Sequence, residues 1–284
     1  MAVPENMTQK SLKTECQSVQ LRSREISHEG VICVNTSQDN TSCKITGMTL
    51  LTPELLIITD FNNNAVKMVD TNSQSVSDQL QLDGIPWDIT QVTNTEVAVT
   101  LPYKQAMQFI SISSNKLIKK HTLKVDGECN GISCFQGKLI VSFCYPAKFQ
   151  ILDMNGTILK TIDGKNIFQL PWYITCNKSS IYVSDWDMKT ISRLNWQGDV
   201  MDSYGDMSHP MGMSLSDDGT VFVSDHGRNV IEEKSGDCSE GQVLIHKLTK
   251  SSAVCWCGIT KKLYASCDAA NGRCINFLQI FNLQ

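Results

Sequence analysis

The sequence predicts an all-β protein, a six-bladed β-propeller of four-stranded antiparallel blades. A short apolar stretch recurs along the chain and ends each time at a comparable position: Asp60, Leu101, Phe143, Asp185, Asp225 and Cys267. These positions are 40 to 42 residues apart. A period in the low forties, carried by short strands separated by polar turns, is typical of a propeller with one blade per repeat.

The first two strands of each blade are predicted from the same pattern. The segments predicted as first strands contain small apolar residues, often beside Gly or Pro: 45–51, 85–90, 129–134, 170–175, 209–214 and 253–258. A polar turn follows, as expected for a hairpin. The segments predicted as second strands give the chain its period: LLIITD (55–60), EVAVTL (96–101), KLIVSF (138–143), SIYVSD (180–185), TVFVSD (220–225) and KLYASC (262–267).

The outer strands are predicted to be progressively more polar, because they run from the packed centre of a blade to its solvated rim. Third strands are predicted at 65–70, 106–112, 149–154, 190–195, 242–248 and 274–281. Fourth strands are predicted in most repeats, for example at 75–82, 117–123 and 157–163. In the fifth repeat, the charged run EEKSGDCSEG (232–241) is predicted to be an exposed loop.

The ends of the chain are predicted to meet in blade six. The sixth repeat ends at Gln284 after its third strand, and the segment 18–30 has strand character but no partner of its own. We predict that this N-terminal strand completes blade six, which removes an open sheet edge. Residues 18–284 then form a single propeller domain, and residues 1–17 are predicted to be a disordered tail.

Composition restricts the setting of the protein. The 284 residues are 41% hydrophobic and 19% charged, with a net charge of −4, as in ordinary soluble domains. No apolar run approaches the ~20 residues of a membrane span, and the first residues lack the apolar stretch of a secretory signal. We therefore predict a cytoplasmic protein without membrane contact.

The cysteines are predicted to be reduced structural thiols, and no metal or other cofactor is predicted. Twelve cysteines would also allow six disulfides, which remains the alternative. Several lie in strand-like runs, where cysteine behaves as a small buried apolar residue. Cys255 and Cys257 have no companion pair at the spacing of a zinc site.

Several motifs resemble NHL repeats. They are the V-S-D endings at 183–185 and 223–225, the run DHGRNVI (225–231), and the stretch ITGMTLLTPELLIITDFNNNAVKMVD (45–70). Over residues 18–284 the chain is similar to the C-terminal six-bladed domain of tripartite-motif (TRIM) proteins of invertebrate type. Repeats two, three and six depart from the pattern, because Leu101, Phe143 and Cys267 replace the strand-end Asp.

This resemblance implies a non-enzymatic role. In such proteins an upstream RING, B-box and coiled coil supply ubiquitin-ligase activity and oligomerisation, and these are not found in this sequence. The chain would then be the substrate-recognition part of a ligase system, oligomeric only through domains outside it. Repression of messenger RNA by other NHL proteins makes sequence-selective binding of single-stranded RNA the alternative.

One face of the predicted propeller collects residues suited to binding. Turns between second and third strands emerge where the first strands begin, and they offer aromatic and basic side chains: Tyr103, Lys104, Tyr145, Lys148, Trp186, Lys189, His226, Arg228 and Arg273. Aromatic residues and arginine anchor protein interfaces, and they also stack bases and meet phosphates. Acidic residues on the same face favour a protein or peptide partner over RNA, and no small-molecule substrate is expected.

Two sets of residues have more than one interpretation. Trp87 and Trp172 each follow a proline, and they either fill space between blades or join the binding face. Asp60, Asp185 and Asp225 are expected to accept hydrogen bonds from backbone amides of the following turn. A carboxylate cluster that holds calcium in the channel, as in lactonase-like hydrolases, is a second alternative function, but the first-strand segment of repeat one, 45–51, has no acid.

Overall fold

The computed structural model describes residues 21, 24–268 and 276–284, and within them the chain forms six four-stranded antiparallel sheets. This confirms the predicted six-bladed propeller. Blades one to three contain β2 (Ile45–Thr52), β3 (Leu55–Asp60), β4 (Ala65–Asp70), β5 (Ser75–Gln81), β6 (Ile89–Thr93), β7 (Glu96–Leu101), β8 (Ala106–Ser113), β9 (Lys116–Lys124), β10 (Cys129–Phe135), β11 (Lys138–Cys144), β12 (Ala147–Asp153) and β13 (Ile158–Asp163). Blades four to six contain β14 (Pro171–Cys176), β15 (Ile181–Asp185), β16 (Thr190–Leu194), β17 (Val200–Tyr204), β18 (Pro210–Leu215), β19 (Val221–Asp225), β20 (Val230–Lys234), β21 (Gly241–Ile245), β22 (Val254–Cys257), β23 (Lys262–Ser266), β24 (Phe277–Leu283) and β1 (Ile26–Cys33).

The apolar core lies between neighbouring blades rather than at one centre. The second strands are almost wholly buried, whereas outer strands such as β9 and β17 are mostly exposed. One cluster joins Ile57 of blade one to Val97 and Val99 of blade two, and similar clusters fill the other interfaces. Each blade therefore buries its apolar faces only by packing against its neighbours, as expected for a repeat fold.

Glycines let the innermost strands of alternate blades approach their neighbours closely. A Cβ added at Gly47, Gly131 or Gly212 would lie 2.9, 2.6 or 2.7 Å from a backbone atom of the next blade. Any larger residue would force the blades apart. The Tyr173 hydroxyl also donates a 2.8 Å hydrogen bond to the Thr46 carbonyl, which joins blade four to blade one.

Blade six is closed by the N-terminal strand, as predicted. β1 pairs antiparallel with β24, and Glu25 and Gln284 exchange two backbone hydrogen bonds of 3.0 and 3.1 Å. Within the described residues the strand runs over Ile26–Cys33, three residues beyond the predicted end at 30, and the start predicted at 18 lies outside the described residues. The register shifts between His28 and Gly30, so the strand continues through the glycine as a bulge instead of ending there. Residues 1–17, predicted to form a disordered tail, lie outside the described residues.

The prediction for blade five was wrong in its third strand. That strand is β20, and the predicted third strand overlaps β21, which is the outermost. Glu232, Glu233 and Lys234 were assigned to an exposed loop, but their exposed fractions are 2%, 0% and 0%. Their charges are paired: Lys234 binds Glu232 and lies 3.3 Å from the centre of the Tyr204 ring, and Arg24 binds Glu233 at 2.9 Å.

The described cysteines form no disulfide with one another. Burial raises the pKa of the Cys129 and Cys255 thiols to about 12, so both remain protonated at neutral pH. Within the described residues, no helix combines the length and the hydrophobicity that crossing a membrane would require.

Candidate functional site

Buried aspartates fix the turns of three blades on the face that carries the turns between second and third strands, here called the loop face. Asp185 accepts hydrogen bonds from the amides of Gln169 and Leu170 in the segment that leads into blade four, and of Asp187 and Met188 in the turn after β15, at 2.7–3.1 Å. Asp225 does the same in blade five. The expected structural role of the strand-end aspartates is therefore confirmed.

Asp60 holds the corresponding turn of blade one in a different way. Its carboxylate accepts the Lys44 amide and also pairs with the buried ammonium of Lys67 at 2.8 Å. Lys67 Nζ bonds Asp39 as well, at 2.7 Å, and approaches Cys43 Sγ at 3.2 Å. Asp39, Cys43 and Asp60 have the spacing of metal ligands. The lysine ammonium already compensates their charge, so this group is better described as a buried ion pair.

Blades two and three have no such aspartate, and their turns differ. Leu101 is followed by a 3₁₀ turn over Pro102–Lys104, and β11 is followed by the Tyr145–Pro146 turn. These turns project Tyr103 and Tyr145 outward, with exposed fractions of 66% and 70%. These two exposed aromatic side chains on neighbouring turns mark the loop face as a candidate contact surface.

A continuous row of rings lies beside these tyrosines at the mouth of the central channel. We call it the aromatic array; its members are Phe61, Trp87, Trp172, Trp186, His209 and His226. Ring centres are 5.8 Å apart for Phe61–Trp87, 5.0 Å for Trp87–Trp172, 4.8 Å for Trp172–Trp186 and 4.3 Å for Trp186–His209. The array spans blades one, two, four and five. Trp87 and Trp172 thus pack between blades, which confirms one of the two sequence interpretations, and both rings lie on the loop face, where a role in binding stays a prediction.

Part of the array and the two exposed tyrosines line a pocket of about 190 Å³, which we call the tyrosine pocket. Phe61, Trp87 and Trp172 belong to its apolar lining, together with Tyr103 and Tyr145. Its polar lining includes Glu128 and Asn130, from the segment that leads into β10 and its start. The Trp87 indole Nε1 is buried and has no hydrogen-bond partner among the described residues.

The predicted basic residues are less available than the aromatic ones. Arg228 binds Asp206 at 2.8 Å and Glu232 at 3.2 Å, and Lys148 binds Asp126 at 3.1 Å. Lys104 and Lys189 are exposed. Arg273 lies outside the described residues. The structure therefore places Tyr103 and Tyr145 in one pocket and Trp186 and His226 in the adjoining array, whereas two of the basic residues are already paired within the chain.

Sequence reasoning missed part of this site. Phe61 and Asn130 were not singled out, and Glu128 was counted only among acids that share the face. A usable signal existed for the array, because Pro-Trp occurs at matching positions of repeats two and four, at 86–87 and 171–172. Nothing in the repeat pattern links Glu128 to the two tyrosines, since they meet only through the packing of different blades.

The central channel contains one further feature that the sequence analysis overlooked. A cavity of about 190 Å³ there is lined mainly by apolar and hydroxyl-bearing residues and by Asp88, which is 8% exposed. Asp88 accepts amides of Ile89 and of Ile132 in the next blade, both at 2.9 Å. Burial outweighs these bonds and raises the pKa of Asp88 to about 7. Among the described channel-lining residues, Asp88 is the single carboxylate.

Comparison with known proteins gives the class of the protein as a six-bladed β-propeller. The virginiamycin B lyase of Staphylococcus aureus is similar in structure, with a TM-score of 0.63 and 13% identity over 92% of this chain and 100% of that one. A streptogramin B lyase has the same TM-score and identity over 92% of this chain and 98% of its own. The hydrazine synthase of Kuenenia stuttgartiensis matches at 0.61 and 12% identity, over 82% and 76%.

Such low identities show the fold alone. No family model matches the chain, and no curated protein matches it either. The comparisons therefore support the propeller, while the NHL and TRIM resemblance receives no support from them.

Proposed function

We propose that this protein is a non-enzymatic recognition module that binds a protein or peptide partner through its loop face. The observation that carries the proposal is the tyrosine pocket, where two exposed tyrosines lie beside the aromatic array. Rigid aromatic side chains contribute large contact areas at low entropic cost, and they are enriched among the residues that dominate binding energy.

The pairing of charges on the loop face favours a protein over RNA. Arg228 and Lys148 are bound to carboxylates of the same chain, so a phosphate would have to compete with Asp206, Glu232 or Asp126. RNA-binding surfaces instead present lysines and arginines that release counterions when phosphates bind. Among the predicted basic residues that the structure describes, Lys104 and Lys189 are the exposed ones outside these ion pairs that single-stranded RNA could contact.

The ubiquitin-ligase role implied by the TRIM resemblance would add a function from domains beyond this chain. It remains a proposal about the wider protein and depends on recognition by the propeller. The two lyases named above show that six-bladed propellers also occur among enzymes. We favour a non-enzymatic role because the loop face carries the aromatic array and the tyrosine pocket, which suit binding. The described lining of the channel offers a single carboxylate, Asp88, and it already accepts two backbone amides.

The proposal is tested by selecting peptides from a random library displayed on phage against the intact protein. The Tyr103→Ala/Tyr145→Ala double variant should lose at least about tenfold in affinity for the selected peptides, because both side chains are exposed anchors. Ile259→Ala is the matched control, since Ile259 is 80% exposed in a turn between first and second strands, on the opposite face.

Two outcomes would contradict the proposal. Selected peptides could bind the double variant and the wild type equally, which would place recognition elsewhere. Alternatively, single-stranded RNA could bind tightly, with an affinity that falls steeply with salt and is lost in Lys104→Glu/Lys189→Glu, which would establish the RNA alternative.

A further inference from the structure

We infer that the tyrosine pocket accepts a positively charged side chain of the partner, of the lysine type, either unmodified or N-methylated. This inference rests on the proposed function and specifies the chemistry of the residue that enters the pocket. It starts from the combination of an aromatic lining with one carboxylate, because aromatic faces attract cations and a carboxylate neutralises them.

The carboxylate is Glu128. It is half-buried in the lining of the pocket. In the described part of the chain, no lysine or arginine nitrogen lies within ion-pair distance of it. Asp126, only two residues away, is paired with Lys148. A cation bound in the pocket would therefore lie beside a carboxylate that no described lysine or arginine neutralises.

The aromatic lining has the composition of a cation site. Trp87 and Trp172 are the ring type with the strongest attraction for cations, and Tyr103 and Tyr145 add two electron-rich faces. Rings on this face already bind ammonium groups of the chain itself. Lys44 Nζ lies 4.8 Å from the centre of the Phe61 ring, and Lys148 Nζ lies 4.9 Å from that of Phe143.

The size and accessibility of the pocket fit a side chain better than a large ligand. Its volume of about 190 Å³ is well below the several hundred Å³ of a typical drug-sized site. Trp87 contributes ring surface to the lining, while its Nε1 is buried and has no hydrogen-bond partner among the described residues. A lysine side chain, which carries its ammonium on a flexible alkyl stem, fits the volume of the pocket and complements the charge of Glu128.

The test uses choline and its uncharged analogue 3,3-dimethyl-1-butanol, which has the same shape, titrated into the intact protein. Binding is followed by NMR of the indole N–H groups. Choline should bind at least ~5-fold more tightly than the alcohol, since cation–π attraction requires the charge. It should also shift the Trp87 and Trp172 indole resonances. Nα-acetyl-lysine amide and its Nε-trimethyl form then establish which form of the side chain is preferred.

Two variants identify the groups responsible. Glu128→Gln keeps the size of the side chain and should weaken choline at least ~5-fold while leaving the alcohol unchanged. Tyr145→Leu should weaken choline because the ring face is lost, and it guards against misfolding of the first variant. Asp187→Asn is the control, because Asp187 is an exposed acid of the loop face outside the pocket.

Equal binding of choline and the alcohol, no effect of Glu128→Gln, or no shift of the Trp87 indole would each overturn the inference. These results are distinct from failure of the proposed function. If peptides selected on phage still require Tyr103 and Tyr145 while choline does not bind, the recognition face stands and the cation chemistry is wrong.

Discussion

Single buried carboxylates determine how the loop face is built. Where β15 and β19 end in aspartate, one carboxylate accepts hydrogen bonds from backbone amides of two segments and holds the turn against the body of the propeller. Where leucine or phenylalanine takes that position, in blades two and three, the turns project tyrosines instead. The candidate site therefore depends on what these two blades lack as well as on what they carry.

Replacement of Asp185 by alanine should destabilise the fold by about 3 kcal/mol. Four backbone amides would lose their acceptor, and a buried unsatisfied donor costs about 1–3 kcal/mol, offset here by water near the surface. Urea unfolding measures the change. Asp187→Ala, at an exposed neighbour, is the control and should stay within about 0.5 kcal/mol. Equal effects of the two variants would show that Asp185 does not hold the turn.

Asp88 should make stability depend on pH. The pKa of Asp88 is about 7 in the folded protein, above the ordinary value of 3.8. The stability that the protonated carboxyl contributes is therefore fully present below pH 3.8 and is lost as the pH rises through 7. A difference of one between the pKa values of the folded and unfolded protein corresponds to about 1.4 kcal/mol. Asp88→Asn loses one of the two amide hydrogen bonds at every pH, because asparagine has a single acceptor oxygen. The difference in stability between variant and wild type should nevertheless move by a few kcal/mol in favour of the variant between about pH 5 and about pH 8. Urea unfolding of both proteins across this range provides the measurement. A stability difference independent of pH would contradict the assignment.

At the level of elements, apolar repetition predicted the second strand of every blade, because those strands are buried on both faces. The same reasoning failed for β20, since three of its five residues are charged. Burial of Glu233 depends on Arg24, which precedes β1 and lies far away in sequence. A local pattern cannot contain that information. For the same reason Tyr103 and Tyr145 could be predicted as candidates from the sequence, whereas the proximity of Glu128 to them could not.

Arg24→Met should destabilise the protein by about 3 kcal/mol, because it leaves the fully buried carboxylate of Glu233 without its cation. Chemical denaturation tests this. The matched control is Lys262→Met, whose partner Glu29 is 32% exposed, and it should cost less than about 1 kcal/mol. A larger loss in the control would contradict the view that burial of the partner determines the cost.

At the level of the whole molecule, closure joins the two ends of the ring through β1 and β24. Two circular permutants, each linking Gln284 to Glu25, test how much this shared blade contributes. In the first permutant the new ends lie at 72–74, in the turn between β4 and β5. Blade one is then built from both ends of the permuted chain, as blade six is in the natural order. New ends at 83–84 fall between blades and leave closure to side-chain packing alone. We expect the second permutant to have the lower thermal midpoint; equal midpoints would show that packing is sufficient.

The missing aspartates of blades two and three also have a consequence for engineering. Because no buried carboxylate ties those two turns to the neighbouring segments, their length and composition can be rewritten without dismantling a shared anchor. Libraries of sequences introduced into these two turns would vary the residues around the opening of the tyrosine pocket, while Trp87 and Trp172 stay constant in its lining. Specificity could then be changed on this scaffold while its frame is left intact.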